Sequence, residues 1–258
     1  MNGNLLLVLD AGTSGVKCSL FDERCRLVAS TRADYPTAFP RPGWSEQSME
    51  DIWSAACRAA RTLVEQTGAE RVACVGLSGT MNGCVPVDAA GHALHPNIIH
   101  SDSRAVTQLE AIRAVISPDD FYRLTGNRLD NHYTLPKILW LRENRPDVYR
   151  RARWFLNTKD YLYAQLTGAP GVTDYSDASL TIAMDIVRGR WARELLTDLD
   201  LDAEKMPRIL CGHDVSGRVS REAAALTGLL EGTPVAVGGG DGACAARGSG
   251  LHEPGSAY

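Results

Sequence analysis

The chain has 258 residues, of which 44% are hydrophobic and 22% are charged, and its formal net charge at pH 7 is −4. These proportions are typical of a folded globular protein and provide enough apolar surface for one large core or two modest ones. A net negative charge provides no basic field for nucleic acid or for an anionic membrane, so neither is an expected partner. Any phosphate group must therefore be bound locally, by backbone N–H groups or by a few placed side chains.

The first ten residues, MNGNLLLVLD, predict a buried strand rather than a targeting segment. They lack a basic n-region, and the apolar run at 5–9 is too short for a signal peptide or a membrane span. The seven cysteines are scattered along the chain and contain no C-x-x-C pair. This usage favours reduced thiols over disulfides or a zinc site, and we expect a cytoplasmic protein.

Apolar strands run into glycine-rich turns three times along the chain. The first unit reads LLLVLD, AGTSG and VKCSLFD, and after a turn at DERC it continues into a further strand, RLVAS. The second reads RVACVGLSG, TMNG and CVPVDAAGHAL, and the third, TPVAVGGGDGA, again brings a strand to a run of glycines. We expect the three units to share one architecture that uses the same loop geometry repeatedly.

Helices are predicted between these units. SMEDIWSAACRAARTLVEQTG has Ser48 as its N-cap, acidic residues in its first turn and Gly68 as its end. PKILWLRENRPDVYRRA predicts a helix that breaks near Pro146, and TKDYLYAQLTG predicts one with Thr158 as its cap and Gly168 as its end. Strand meanders followed by alternating helices and strands indicate an α/β fold with a mixed β-sheet flanked by helices.

The first turn, LDAGTSGVK, combines a carboxylate with glycines and hydroxyl groups. It is not a G-x-x-x-x-G-K-[ST] loop, and the segment after it predicts a strand, so a helix-dipole anion site does not apply. A turn between antiparallel strands can still direct successive N–H groups at an anion, and Asp10 can hold a hydrated Mg²⁺ that bridges to it. An ordinary glycine-rich hairpin explains this segment equally well.

A second carboxylate, Asp241, follows three glycines and precedes the small residues GACAARGSG. Small neighbours allow another group to approach the carboxylate closely. A carboxylate at the end of an apolar strand is well placed to act as general base on a substrate hydroxyl. Asp is also a favoured N-cap, and capping of the following helix explains Asp241 equally well.

Taken together, the motifs resemble the FGGY family of carbohydrate kinases. Besides the two carboxylate segments, the stretches PGWSEQ, VGLSGTMNG, IIHSDSRA, TLPKILWLREN, TDYSDAS and LTGLLEGTPVAVGGGDGA follow in the order that this family shows. TLPKILWLREN is similar to the family's first signature, and the resemblance spans essentially the whole chain. Xylulose kinases are the most similar members, followed by other pentulose and polyol kinases.

The resemblance implies an actin-like, ribonuclease-H-like ATPase fold and ATP-dependent phosphorylation of a sugar hydroxyl. It implies Asp241 as the general base, and Asp10 and Asp241 as the residues at Mg²⁺. The phosphate-binding residues that it implies are Gly12, Thr13, Ser14 and Lys17. The substrate-binding residues that it implies are Met81, Asn82, His100, Asp102, Arg104, His132 and Asp241. The weaker candidates, which loop capping explains equally well, are Asp174, Ser176 and Asp177.

Three positions in the implied sugar site depart from the family's pattern. Asn82 stands where xylulose kinases have a histidine, and its amide can hydrogen-bond a hydroxyl but cannot be protonated. His100 stands where relatives commonly have tryptophan, and His132 stands where glycerol kinases have tyrosine. A surface or packing role is an alternative for each histidine. Xylulose, a related ketose and a sugar alcohol therefore all stay open as substrates.

We expect residues 1–258 to form the sugar-side N-terminal domain of such a kinase, with residues 242–258 leading into a hinge. The C-terminal domain that would bind adenosine is absent from this chain, so we expect the chain alone to be inactive. The expected partners are a sugar or polyol, ATP with Mg²⁺, the protein's own C-terminal domain and a second copy in a homodimer. A non-catalytic sugar-binding or regulatory domain is the alternative, and a chaperone-type ATPase is disfavoured because it lacks the TLPKILWLREN and SDSR segments.

Overall fold

The computed structural model describes residues 4–251, 253 and 255. Their strands are β1 (Leu5–Ala11), β2 (Gly15–Phe21), β3 (Leu27–Asp34), β4 (Glu46–Gln47), β5 (Val72–Gly79), β6 (Val85–Val87), β7 (Asn97–Ile98), β8 (Trp154–Leu156), β9 (Val172–Asp174), β10 (Met184–Asp185), β11 (Arg190–Trp191), β12 (Arg208–Leu210), β13 (Val215–Arg218), β14 (Pro234–Ala236) and β15 (Gly239–Gly240). Their helices are α1 (Met49–Thr67), α2 (Gln108–Val115), α3 (Pro118–Thr125), α4 (Thr134–Asn144), α5 (Pro146–Arg151), α6 (Thr158–Thr167), α7 (Tyr175–Leu180), α8 (Arg193–Asp198), α9 (Arg221–Thr227) and α10 (Asp241–Gly248). Residues 252, 254 and 256–258 of the predicted hinge segment lie outside the described residues.

The largest sheet has seven strands and mixes parallel with antiparallel pairs. Its order is β13-β14-β5-β1-β2-β3, and β15 also pairs with β5. β1, β14 and β15 all run parallel to β5, whereas β1 with β2 and β2 with β3 are antiparallel. Helix α1 packs against β2 and β3, and α6 packs against β5. The predicted mixed sheet flanked by helices is confirmed.

Helix α1 forms as its sequence predicts. The Ser48 side chain accepts a hydrogen bond from the N–H of Asp51 at 3.2 Å, and Gly68 ends the helix with φ +91°. The apolar stripe that α1 buries against the sheet includes the predicted Ile52, Ala55, Ala56, Ala59 and Leu63 and also Met49, Ala60 and Val64. These residues recur at helical spacing, so one face of the helix covers the sheet while the opposite face stays in water.

A second core lies beside the sheet and is built around α4. Helix α4 ends at Asn144 and α5 begins at Pro146, so the predicted break is confirmed. Residues 134–141 of α4 are all buried, because other elements cover this helix on every side. Its large side chains pack with those of neighbouring helices, including Phe121 and Leu196. Among the described helices, none has the length and the apolar run that crossing a bilayer requires.

The three strand-turn units do not repeat one architecture, so that prediction was wrong. Only β1 continues into a hairpin within the large sheet, with β2 as its partner. β5 already has β1 along one edge and β14 with β15 along the other, which leaves no edge for the strand that follows. β6 therefore leaves the sheet and pairs with β8. The third unit continues into α10.

One strand end and one helix start differ from the predicted positions. The strand expected at 26–30 extends to Asp34, because β2 pairs with it along its full length. Helix α6 has Asn157 rather than Thr158 as its N-cap. The carboxylate of Asp160 accepts a hydrogen bond from the N–H of Asn157 at 3.0 Å, which fixes the start of the helix one residue earlier.

Candidate active site

Three parallel strands bring their carboxyl ends to one edge of the sheet. In the register of β1 with β5, Asp10 lies opposite Ser78. In the register of β15 with β5, Gly239 lies opposite the same Ser78, which places Asp241 just beyond the strand ends. Residues 231 positions apart in the chain are therefore neighbours in space, and ligands bind at this edge of open α/β sheets.

Two cavities, each of about 360 Å³, open at this edge. The first, which we call the strand cavity, is lined by Val8, Asp10, Lys17, Ser19, Phe21, Ser78, Asp241, Cys244 and Ala245. The second, which we call the loop cavity, is lined by Thr13, Thr80, Met81, Asn82, His100, His132, Leu180 and Asp241. Asp241 is the residue that the two lining sets share.

The strand cavity is lined by an acidic and a basic side chain from neighbouring strands. Asp10 on β1 and Lys17 on β2 are directly paired across the hairpin, so both side chains lie on the same face. Lys17 is exposed, whereas the Oδ1 atom of Asp10 is buried and has no hydrogen-bond partner among the described residues. A buried carboxylate oxygen without a partner is costly unless something else binds it.

The glycine turn between β1 and β2 is held by three side chains from outside it. The hydroxyl of Tyr35 donates to the carbonyl of Gly12, and the Nε2 amide of Gln47 donates to the carbonyl of Thr13 at 2.8 Å. The guanidinium of Arg32 donates to the hydroxyl of Ser14 at 2.7 Å. Of the predicted phosphate-binding residues, Lys17 therefore faces the strand cavity and Thr13 the loop cavity, while Gly12 and Ser14 lie in the turn beside them.

Asp241 is the first residue of α10, and its helix is capped by Gly240. The alternative that Asp241 is the N-cap is therefore wrong. The Oδ1 atom accepts a hydrogen bond from the N–H of Gly242 at 2.8 Å. Burial raises the pKa of Asp241 above its ordinary value, and the nearby Asp10 carboxylate raises it further. A carboxylate with a raised pKa is a stronger base toward a hydroxyl group.

The loop cavity is lined by polar and apolar side chains beside Asp241. Asn82 adopts the left-handed backbone conformation, with φ +63°, which Asn tolerates better than most residues. Its Oδ1 atom is buried with no hydrogen-bond partner among residues 4–251, 253 and 255.

Two histidines and a methionine also line the loop cavity. Burial lowers the pKa of His100, and the Nδ1 atom of His132 lies 2.8 Å from a carboxylate oxygen of Asp130. Met81 packs over Gly240, where any side chain would collide with it.

Asp102 and Arg104 lie apart from the residues that line the loop cavity. Four of the hydrogen bonds in this segment join the Arg104 backbone N–H and guanidinium to the Asp102 carboxylate at 2.7–3.0 Å. The same guanidinium donates to Glu46 at 2.7 Å and stacks 3.7 Å over the ring of Trp44. Because these charges are buried and paired with each other, the geometry favours a role in holding the loop. Their predicted contact with substrate stays a prediction.

Lys137 contributes to the site although sequence reasoning gave it no role. Its side chain is fully buried, and its Nζ atom donates to the carbonyls of Asn82 at 2.5 Å and His132 at 2.6 Å. It therefore connects the backbones of two residues that line the loop cavity. Burial lowers the pKa of Lys137 to about 7. The signal in the sequence was a single lysine inside TLPKILWL, an apolar run that a helix can bury on every side.

Asp174, the first of the weaker candidates, caps helix α7. Its carboxylate accepts hydrogen bonds from the backbone N–H groups of Ser176 at 2.7 Å and Asp177 at 3.4 Å. The capping interpretation is therefore confirmed for this residue. Ser176 reaches further, because its Oγ atom accepts a hydrogen bond at 2.9 Å from the N–H of Gly240, next to Asp241.

A sequence profile described as the FGGY family of carbohydrate kinases, N-terminal domain, matches residues 5–248. The chain belongs to this family. Xylulose kinase from Escherichia coli (strain K12) is 33% identical to it over 243 residues, which cover 94% of the chain and 49% of that enzyme. Glycerol kinase from Alkalilimnicola ehrlichii is 32% identical over 260 residues, which cover 98% of the chain and 52% of that enzyme.

Solved structures of FGGY kinases share the fold. A crystal structure titled as a xyloylose kinase from Brucella ovis superposes with a TM-score of 0.89 at 34% identity, over 98% of this chain and 52% of that one. The predicted actin-like ATPase fold and the likeness to xylulose kinases are both confirmed. This FGGY chain spans about half the length of the curated relatives it matches.

Proposed function

We propose that the full-length protein carrying this chain transfers a phosphoryl group from ATP to a hydroxyl group of a small ketose or polyol. The observation that supports this most directly is the position of Asp241 between the two cavities. A hydroxyl group in the loop cavity and a phosphate group in the strand cavity would meet on either side of one carboxylate. Membership of a carbohydrate kinase family supports the same reaction class.

Asp241 would act as the general base. The hydroxyl oxygen of the sugar forms a bond to the γ-phosphorus of ATP, the bond from that phosphorus to the bridging oxygen breaks, and ADP leaves. The hydroxyl proton goes to the Asp241 carboxylate, whose raised pKa favours accepting it. Lys17 is placed on the strand side, where its ammonium would meet phosphate oxygens.

The carboxylates of Asp10 and Asp241 fit a magnesium ion. Carboxylate oxygens are the ligands that Mg²⁺ takes in phosphoryl-transfer sites, and the Oδ1 atom of Asp10 is buried with no partner in the described part of the chain. When bound there, Mg²⁺ would offset the negative charge that develops on the phosphate oxygens. FGGY kinases use ATP, typically with this ion, which agrees with the residues present.

The lining of the loop cavity suits an uncharged polyhydroxy compound. Asn82 offers a buried amide oxygen that can accept a hydrogen bond from a hydroxyl group, and His100 and His132 add ring nitrogens that can donate or accept hydrogen bonds. We propose xylulose as the first substrate to examine, because the likeness to xylulose kinases is broad. Related ketoses and polyols follow, since a glycerol kinase matches at 32% identity.

We further propose that this chain supplies one side of the catalytic cleft and turns over ATP poorly alone. The chain spans about half the length of its relatives and matches the N-terminal domain of the family. In this proposal it forms the sugar-side domain, and a second domain would bind adenosine. A cytoplasmic location is part of the same proposal, supported by seven free cysteines.

A substrate screen on the full-length protein tests the function. We expect ADP release with at least one ketose or polyol in the presence of Mg²⁺. Asp241→Asn should lower kcat by about 100- to 10,000-fold and leave the dissociation constant for the sugar within a few-fold, since the amide cannot accept the proton and is a poorer ligand for Mg²⁺ but keeps the shape of the side chain. Asp198→Asn, which changes an exposed carboxylate on α8, is the matched control and should leave kcat unchanged.

Two results would contradict the proposal. No ADP release with any pentulose, hexulose or polyol would exclude the kinase, and unimpaired turnover in Asp241→Asn would exclude Asp241 as the base. If calorimetry shows that the protein binds a sugar but no turnover is measured, the alternative is favoured, which is a sugar-binding or regulatory domain that performs no catalysis.

A further inference from the structure

A cluster of four buried charged residues lies beneath the loop that carries Asp241. The Nζ atom of Lys159 lies 2.7 Å from Asp160, 3.2 Å from Asp174 and 3.4 Å from Asp177, and the side chains of all four are buried. Removing such charges from water is costly even when they are paired, so a cluster of this kind adds little to stability by itself. The contacts that the cluster makes with neighbouring segments are therefore more informative than its contribution to stability.

Contacts lead from this cluster to both ends of the glycine loop. The Oδ2 atom of Asp174 accepts a hydrogen bond of 2.5 Å from the Oγ atom of Ser176, which in turn accepts one of 2.9 Å from the N–H of Gly240. The Nζ atom of Lys159 also donates to the carbonyl of Val237 at 3.4 Å. The loop is therefore fixed immediately before and immediately after its first two glycines.

The glycine loop needs such support because of its own composition. Gly238 has φ +81°, and its Cα lies so close to the carbonyl of Leu77 that a side chain would collide with it. A Cβ atom at Gly239 would lie 3.2 Å from the Sγ atom of Cys244. One at Gly240 would collide with the Cε atom of Met81, which would have to move. Three consecutive glycines permit this close packing, but they also have the greatest backbone freedom of any residue type. Without outside contacts, the residue that follows them would not keep one position.

We propose that Lys159, Asp174 and Ser176 are positioning residues that hold the Asp241 carboxylate between the strand cavity and the loop cavity. The proposal rests on the function proposed above, in which Asp241 is the base. None of the three residues lines either cavity, so they act through the backbone at Val237 and Gly240 and not by touching a ligand.

Ser176 provides the sharpest test, because its hydroxyl is the last contact before the loop. In the full-length protein, Ser176→Ala should lower kcat by about 10- to 100-fold and leave KM for the sugar within about three-fold, since misplacement of a reacting group by 1 Å has effects of this size. Ser176→Thr retains the hydroxyl and should keep kcat within about three-fold of the wild type. Ser179→Ala is the matched control, because the Ser179 hydroxyl donates to the Ser176 carbonyl at 2.8 Å within the same helix.

Hydrogen exchange supplies a readout that does not depend on catalysis. Measured by NMR, the Gly240 amide should exchange at least about 10-fold faster in Ser176→Ala than in the wild type, and at the wild-type rate in Ser176→Thr and Ser179→Ala. Unchanged kcat in Ser176→Ala, or an equal loss of kcat in Ser179→Ala, would overturn the proposal. Absence of turnover in the wild type would mark the failure of the proposed function instead, and the exchange rate of Gly240 would still report whether Ser176 holds the loop.

Discussion

Lys137 and Lys159 are both fully buried on helices beside the candidate site, yet their surroundings differ completely. The ammonium of Lys137 meets two backbone carbonyls, from Asn82 and His132. The ammonium of Lys159 meets three carboxyl groups. Burial lowers the pKa of Lys137 to about 7. Burial also acts on Lys159, but the carboxylates around it outweigh burial and raise its pKa above the ordinary value.

The comparison shows that the partners of a buried lysine, and not its burial, decide whether it keeps its charge. Carbonyl dipoles do not offset the loss of hydration of an ammonium, whereas full negative charges do. A neutral amine still has two N–H groups, so Lys137 can keep both hydrogen bonds after it loses a proton. Lys159 is therefore a permanent cation in the cluster that supports the Asp241 loop, and Lys137 is a donor whose charge changes near neutral pH.

Replacement of each lysine by methionine should separate the two roles most clearly. Lys159→Met leaves three buried carboxyl groups without a counter-charge, and we expect a loss of about 3–5 kcal/mol in the free energy of unfolding. Urea denaturation at pH 7.5 measures it. A loss smaller than that caused by Lys137→Met would contradict the comparison.

Lys137→Met should have a smaller effect, a loss of about 1–3 kcal/mol, because it leaves two buried carbonyls without a donor but no charge without a partner. The same change should weaken sugar binding, measured by calorimetry with xylulose, since the two backbone segments that line the loop cavity lose their common donor. Lys17→Met removes an exposed lysine and should change the free energy of unfolding by less than about 0.5 kcal/mol.

The pH dependence of stability should distinguish Lys137 from an ordinary lysine. Its pKa is about 7 in the folded chain and about 10.4 in the unfolded chain, so between these values the unfolded state binds the additional proton. Its contribution to the free energy of unfolding therefore rises as pH increases from 7 toward 10, by at most about 1.4 kcal/mol per pH unit. Urea denaturation at pH 7, 8 and 9 should show that the free energy of unfolding of the wild type increases relative to that of Lys137→Met as the pH rises. A difference between the two proteins that stays constant over this pH range would show that Lys137 stays charged.

Among the changes at buried residues, the smallest effect is expected for Asp177→Asn. Both carboxyl oxygens of Asp177 lack a hydrogen-bond partner within the described ranges, the Nζ atom of Lys159 lies 3.4 Å away, and burial raises the pKa of Asp177 well above its ordinary value. A neutral amide of the same shape should then cost less than about 1 kcal/mol. Asp174→Asn should cost more, because its carboxylate both pairs with Lys159 and accepts from Ser176. Equal losses in urea denaturation would show that the contacts of Asp174 with Lys159 and Ser176 add no stability beyond what Asp177 contributes.

Sequence alone predicted the residues whose position follows from local pattern. Asp10 and Asp241 each stand at the end of an apolar strand beside glycines, and parallel strands bring such ends together. The stripe and cap of α1 and the break before Pro146 were predictable for the same reason, since each depends on residues within a few positions.

Long-range partners could not be predicted. Lys137 meets a carbonyl 55 positions earlier in the chain, and the Ser176 hydroxyl meets an amide 64 positions later. Whether β6 stays in the sheet depends on which strands already occupy the edges of β5, and no property of VPV reveals that. The pairing of Arg104 with Glu46 likewise depends on a strand 58 positions away.

The two cavities differ in what holds their walls, and this difference bears on how the protein can diversify. The strand cavity is lined largely by residues of paired strands, where hydrogen-bonded register fixes each side chain and a substitution disturbs a whole ladder. The loop cavity is lined largely by turn and loop residues such as Met81 and His100, which tolerate replacement more easily. In the proposed function, the acceptor preference could therefore change through substitutions in the loop cavity while the strand cavity, on the phosphate side, stays the same.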